Sequence, residues 1–298
     1  MLTISLLVDN YVLNEDYAQG EPGLSMHLRL DGGESLLFDF GMTGLFMRNA
    51  RRMGVDLGGL SWAVLSPWHL DHTWGLGPFM KSLDRVSGGG LGGGAGGGQG
   101  AGPGPGGGPA SAKPILVCHP KALEAKKYGR FSIGIKARRE ELEAHFRVEP
   151  SAVPRRIAER LVFLGEIERT NEFEGKEPLG RGAEDGRFVD DYMPDDTALA
   201  YESDGGLVIV AGCSHSGICN IVDYARKVTG VERVRAVVGG LHLDASRPEL
   251  VARTCERLGR QGVESLYACH CTDMKARIAL ARTCAVEEAG VGSVLEFA

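Results

Sequence analysis

The chain is 298 residues long, 43% hydrophobic and 24% charged, which is enough to bury a full core and too apolar for disorder throughout. A formal net charge of -6 offers no basic field to a polyanion, so a small-molecule substrate is expected rather than a nucleic acid. The opening Met1-Leu2-Thr3-Ile4-Ser5-Leu6-Leu7-Val8 has no charged leader, no segment is long and apolar enough to span a bilayer, and seven scattered cysteines suit reduced thiols. A cytoplasmic protein with no membrane contact is expected, its oligomeric state open.

Along the chain, Leu36-Leu37-Phe38-Asp39-Phe40 reads as a strand, 45–53 as a helix stopped by Gly54, and Trp62-Ala63-Val64-Leu65 as a strand that runs into a His cluster. Residues 87–112 are Gly-rich with almost no apolar side chains, and are expected to form a disordered surface insertion. Next come a strand at 115–118, a helix from Lys121, a helix-prone stretch at 136–146 and a strand at 197–201. The last third alternates strands at 207–211, 234–238, 266–268 and 294–297 with helices at 218–228, 249–260 and 274–288. Sheets with helices packed outside them are implied, and nothing marks a hinge, so 1–298 is read as one domain.

The residues with metal chemistry share one placement, just past the end of an expected strand: His69, Asp71 and His72 after 62–65, His215 after 207–211, His242 after 234–238 and His270 after 266–268. Loops gather at such an edge, so distant side chains can converge there. A lone His beside a strand end is more often a hydrogen-bonded structural group; the recurrence argues otherwise. Imidazoles with one carboxylate suit a borderline divalent ion, Zn first, or Mn or Fe, and this many donors could hold two.

Neighbouring residues have plainer readings. Cys213, Cys269 and Cys271 adjoin these positions and could bind metal, but read first as buried packing beside a strand end. Asp195 and Asp196 read as turn and capping residues, with a polar contact to the site as the other option, and Thr272 and Asp273 as N-caps of the last helix. Gly212, Gly239 and Gly240 would let backbone approach the site closely. No phosphate-cradling glycine loop is present.

The segment Leu65-Ser66-Pro67-Trp68-His69-Leu70-Asp71-His72-Thr73-Trp74-Gly75-Leu76 resembles the metallo-β-lactamase motif HxHxDH followed by Gly-Leu, and Leu36 to Gly41 resembles that superfamily's LLFDTG turn. Val8-Asp9-Asn10, Gly23-Leu24-Ser25, Asp195-Asp196, Gly212-Cys213-Ser214-His215, Gly239-Gly240-Leu241-His242-Leu243 and Cys269-His270-Cys271-Thr272 are similar to one branch, the 7,8-dihydropterin-6-yl-methyl-4-(β-D-ribofuranosyl)aminobenzene-5'-phosphate synthase family. The resemblance implies an α/β fold, the four-layer αββα sandwich with two mixed sheets and helices outside. It also implies that Asp39 supports the metal-binding loop, that His69 and His215 serve a first metal, that Asp71, His72 and His270 serve a second, and that His242 lies near both.

Two positions depart from the family pattern. Asp273 stands where the family has Gly, and Pro67 stands at the first His of HxHxDH, with no donor atom in its side chain. Three arrangements follow: one metal on Asp71, His72 and His270; two metals with the first weak; or a substitute ligand. One tight ion, with a second weak or absent, is the expectation. The family's transferase activity, joining a dihydropterin to a ribosyl-aminobenzene phosphate, is the first functional reading. A metal-dependent hydrolase of an ester, thioester, lactone or phosphoester, with Asp71 orienting the attacking water, is the second, and a degenerate binder without turnover the third.

Overall fold

In the computed structural model, residues 1–13, 18–87 and 113–298 are described, and nearly all of the Gly-rich segment at 87–112 lies outside them. The first half holds strands β1 (Leu2–Val8), β2 (Ser25–Leu30), β3 (Ser35–Phe38), helix α1 (Leu45–Arg52), β4 (Trp62–Val64), α2 (Leu70–Thr73), α3 (Leu76–Ser87), β5 (Ile115–Val117), β6 (Lys126–Tyr128), β7 (Phe131–Ser132), α4 (Arg139–His145) and β8 (Arg147–Val148). The second holds β9 (Arg155–Ala158), β10 (Leu161–Phe163), β11 (Arg181–Glu184), β12 (Arg187–Asp190), β13 (Ala198–Ser203), β14 (Gly206–Ala211), α5 (Ile218–Thr229), β15 (Val234–Gly240), α6 (Pro248–Gln261), β16 (Ser265–Cys269), α7 (Met274–Leu280) and β17 (Val294–Phe297).

Two mixed sheets carry the fold, in the orders β17-β1-β2-β3-β4-β5-β8 and β16-β15-β14-β13-β10-β9. Their inner faces meet in a core that includes Leu2, Ile4 and Leu6 of β1 and Val208 and Val210 of β14. The period of two along β14 turns Leu207, Ile209 and Ala211 to the opposite face, where they pack on Ile221 and Val222 of α5 and Leu258 of α6. On the far side of the other sheet, Leu37, Ala63 and Leu116 pack on Phe46 of α1, Phe79 of α3 and Leu142 of α4. The layers therefore run helix, sheet, sheet, helix, as the resemblance implied. A third sheet of four short antiparallel strands, β12-β11-β6-β7, is an addition to the expected two.

Helix ends follow local chemistry. Gly54, Gly230 and Gly262 adopt left-handed φ of 68°, 74° and 65° just beyond α1, α5 and α6, a conformation that costs glycine little. At the other end of α5, the buried Glu174 carboxylate accepts from the backbone N–H groups of Cys219 and Asn220 at 3.3 and 3.2 Å and so caps the helix. This matters for the site because α5 begins at Ile218, three residues after His215.

Two expected helices are shorter or absent. From Lys121 the chain makes only a 3-10 turn, Pro120–Leu123, before β6 pairs with β11, a pairing that buries Lys126 against Asp191. The helix expected over 274–288 ends at Leu280, because Ala285 and Glu287 hydrogen-bond to the free edge of β16 at Leu266. Tertiary pairing overrides local propensity in both places. No helix among the described residues is long and apolar enough to cross a membrane.

Candidate metal centre

Asp39, Ser214, His242 and His270 follow β3, β14, β15 and β16 at one edge of the sandwich, and all four have left-handed backbones, with φ of 59°, 59°, 48° and 51°. A non-glycine residue there stores strain that the surroundings must hold. Ser214 Oγ donates to the Gly240 carbonyl at 2.7 Å, the His242 N–H meets Cys271 Sγ at 3.1 Å, and the His270 N–H meets Asp9 Oδ2 at 2.9 Å. The turns are thereby locked with their side chains brought to one place. Close approach of backbone is needed too: a Cβ on Gly212 would lie 1.9 Å from Ser66 Oγ, and one on Gly240 would lie 2.6 Å from Cys271 Sγ.

Two groups of donors result. His72, Cys213 and His270 form one, fully buried; His69, Cys213 and His215 form the other; in each the donor atoms lie within 4.8 Å of one another. His72 Nε2 is 3.1 Å from both Cys213 Sγ and His270 Nε2. Asp71 Oδ2 joins this side at 3.5 Å from His270 Nε2 and 3.9 Å from His72 Nε2. Across the shared sulfur, His69 Nδ1 and His215 Nε2 stand 3.2 Å apart. Pro67 is buried beside Ser66 and adds no donor.

Hydrogen bonds behind these residues fix which nitrogen is free. His72 Nδ1 faces Asp39 Oδ2 at 2.7 Å, and His270 Nδ1 faces Asn10 Oδ1 at 3.0 Å. The same Asn10 oxygen accepts from the Gly23 N–H, which fixes the amide's orientation. Both Nδ1 atoms therefore donate, and when both rings are neutral their Nε2 lone pairs point at each other across 3.1 Å. That arrangement calls for a cation between them, a role that a proton on His72 fills when no metal is bound. The residues present fit a divalent ion, with imidazole, carboxylate and sulfur donors suited to zinc-like metals.

Charge supports the same conclusion. Burial is the largest influence on every imidazole here and pushes His69 and His270 down to about 3, His215 well below its ordinary value, and, with Arg247 adding to it, His242 to about 4. His72 is the exception: burial opposes its charge, but Asp39 and then Asp71 outweigh that and hold it up to about 9. Burial likewise pushes the Asp71 carboxyl up, yet His72, His270 and His69 together bring it below the usual carboxylate range. The thiol of Cys213 is pushed well up by burial, so its sulfur needs a cation beside it to ionise.

His242 lies outside both donor groups. Its ring centre lies 4.2 Å from that of His215 with the planes tilted by 51°, and its Nδ1 accepts from Arg247 Nη2 at 2.9 Å. Asp195 and Asp196 hold the loops rather than reaching the donors: Asp195 Oδ2 accepts from the Trp68 N–H at 3.0 Å, and Asp196 accepts from the N–H groups of His215 and Ser216, each at 2.9 Å. Lys126 is buried between Asp191 at 2.6 Å and Asp195 at 3.6 Å, which ties the third sheet to the loop that carries His69. Asp273 caps α7 by accepting from the Ala276 N–H. A cavity of about 500 Å³ opens on His215 and His242, walled by Phe173, Leu179, Met193 and Leu250. A larger one of about 580 Å³ touches none of the site's imidazoles.

A model of the metallo-beta-lactamase superfamily matches residues 19–89. Over 287 residues, covering 90% of this chain and 90% of the other, the sequence is 30% identical to the 7,8-dihydropterin-6-methyl-4-(beta-D-ribofuranosyl)-aminobenzene-5'-phosphate synthase of Methanocaldococcus jannaschii. This chain belongs to that family, within the metallo-β-lactamase superfamily. Among solved structures, a metal-dependent hydrolase of the beta-lactamase superfamily superposes with a TM-score of 0.77 at 24% identity over 99% of each chain. Zinc-bound PqqB from Methylobacterium extorquens superposes with a TM-score of 0.52 at 10% identity, again over 99% of each chain. These two likenesses are likenesses of fold.

The structure thus brings together His69, Asp71, His72, His215 and His270 with Asp39 behind them, and sets His242 to one side. Cys213 was read from sequence as packing. The available signal was its place two residues before His215, on the same loop past β14.

Proposed function

We propose that the protein is a divalent-metal-dependent transferase that joins a dihydropterin to a ribosyl-aminobenzene phosphate, the activity in the name of its Methanocaldococcus jannaschii relative. The observation that carries the metal-dependent part is the placement of Cys213 Sγ in both donor groups, which would make up for the ligand missing at Pro67, and the transferase part rests on the relative's name. His72, His270, Asp71 and Cys213 would hold one ion tightly. His69 and His215, sharing the same sulfur, would hold a second more weakly, with zinc the metal best matched to sulfur and imidazole. A bound ion supplies Lewis-acid charge, which a departing diphosphate requires.

In this reaction the aryl amine nitrogen forms a bond to the pterin's 6-methylene carbon, the carbon–oxygen bond to diphosphate breaks with its electron pair leaving on oxygen, and the amine gives up a proton. The chain's part is placement. Asp39 and Asn10 orient His72 and His270, Asp196 fixes the turn of His215, and the cavity beside His215 and His242 offers the apolar walls of Phe173, Leu179 and Met193 to flat rings.

The test is incubation of the metal-loaded protein with the hydroxymethyl-dihydropterin diphosphate and the ribosyl-aminobenzene phosphate, with mass-spectrometric detection of the joined product beside a His72→Ala control. Product and diphosphate appearing together, and absent from the control, is the expected result. Turnover of simple esters or phosphodiesters without any joined product, lost in His72→Ala, would replace the transferase by a hydrolase.

A further inference from the structure

The inference concerns the same site and rests on the metal-enzyme reading for its setting. Arg247, the residue before α6, is only a third exposed, at 33%, and its Nη2 contacts both the Nδ1 and the carbonyl oxygen of His242. A guanidinium can only donate. Nδ1 of His242 must therefore accept, which leaves the imidazole proton on Nε2 and makes that atom a hydrogen-bond donor with no lone pair for a metal.

Arg247 and His242 both line the cavity of about 500 Å³, next to His215 of the metal centre, and both also line the smaller recess behind it. Among the described residues, Arg247 has one carboxylate near it, Asp244 at 3.5 Å, and its Nε and Nη1 make no hydrogen bond. The other cation of the cavity, Lys176, stands exposed on the segment that faces α6 across it. Phe173, Leu179 and Leu250 supply apolar wall, and of the three carboxylates that also line the cavity Glu172 pairs with Arg253, while Glu177 and Glu249 make no ion pair with Arg247.

The geometry points to Arg247 and His242 as a substrate-binding pair that grips an oxyanion, a phosphate or carboxylate group of the substrate, beside the metal centre: Arg247 through its Nη1 hydrogens, His242 through Nε2–H. With Nη2 engaged by His242, Arg247 offers a single charged donor from Nη1 to one oxygen of such a group, and the imidazole N–H offers a second donor. On this assignment His242 is a positioning and binding residue held in one tautomer by Arg247, and it is not a metal ligand.

The test uses the full chain loaded with zinc. Calorimetric titration with inorganic phosphate and, separately, with acetate is compared between the wild type, Arg247→Met and Arg247→Lys. Zinc content is measured in each and in His242→Gln, and nitrogen-15 spectra of His242 report its tautomer. The pair predicts binding of at least one probe by the wild type, weakened about tenfold or more in Arg247→Met and partly recovered in Arg247→Lys, with zinc content unchanged in all variants and the Nε2–H tautomer in the wild type. Loss of phosphate binding alone identifies a phosphate subsite; loss of acetate binding alone identifies a carboxylate subsite. Equal binding by Arg247→Met, no binding of either probe by the wild type, an ion lost in His242→Gln, or an Nδ1–H tautomer would each overturn the assignment. A wild type that takes up no zinc fails the metal-enzyme reading instead, and the tautomer and probe binding remain measurable on that metal-free protein.

Discussion

Asp39 Oδ2 and His72 Nδ1 meet at 2.7 Å with both side chains fully buried, although 33 residues separate them in sequence. The carboxylate also accepts from the Ser66 N–H at 2.8 Å and from Ser66 Oγ, so one group fixes both the ring and the loop that carries it. Asp39→Asn keeps the shape but places an amide N–H₂ against one of three donors. Zinc affinity, measured by competition with a chelator, should fall by about 10–100-fold. An unchanged affinity would mean that the ring is oriented by something else.

The buried cation that braces the site should be felt in stability. Lys126→Met leaves Asp191 and Asp195 without their positive partner in a dry environment, and breaking a buried pair in this way costs about 3–5 kcal/mol. Denaturant unfolding of the metal-free protein measures it. A loss under about 1 kcal/mol would show that water reaches these carboxylates after all.

Asp195 gives the metal-free protein a pH dependence of definite sign. Burial, opposed by Lys126 and reinforced by Asp191, raises its carboxyl from 3.8 to about 7. The folded state therefore binds a proton that the unfolded state releases near pH 4, and the resulting stabilisation is complete below that and is lost as pH rises through about 7. Unfolding free energies at pH 5 and pH 8 should differ in favour of pH 5 by more in the wild type than in Asp195→Asn. Equal differences would remove Asp195 as the cause.

Gly212 tests how tightly the β14 loop is pressed against the metal-binding loop. An added methyl would overlap Ser66 Oγ at 1.9 Å and its Cβ at 2.6 Å. Gly212→Ala should cost about 3 kcal/mol or more and weaken zinc binding together with stability. Thermal unfolding with and without zinc separates the two effects, and a variant as stable as the wild type would show that the loops are free to part.

Much of this was legible in the sequence for a physical reason. Buried strands such as 207–211 and 234–238 announce themselves by continuous apolar runs, and His215 and His242 stand just beyond them, so their convergence at one edge follows from the layered architecture. The third sheet was not legible. Its strands are two to four residues long and read Lys-Lys-Tyr or Arg-Gly-Ala-Glu, without the apolar alternation that marks a strand, because its main anchor is the ion pair of Lys126 with Asp191 rather than a core. Cys213 was legible only as a small residue at a strand end, since nothing local distinguishes a ligand sulfur from a packed one. Its distance to His72 makes that distinction, and such a distance exists only in the folded chain.

The proposed metal centre depends on Cys213 sulfur as a ligand in place of the donor lost at Pro67. Cobalt-substituted protein tests it most directly, because a sulfur–cobalt bond produces a charge-transfer absorption that nitrogen and oxygen ligands do not. The account predicts this band in the wild type and in Cys271→Ser, and its disappearance in Cys213→Ser together with weaker metal retention. A wild-type spectrum without the band, or a band that survives in Cys213→Ser, would contradict it.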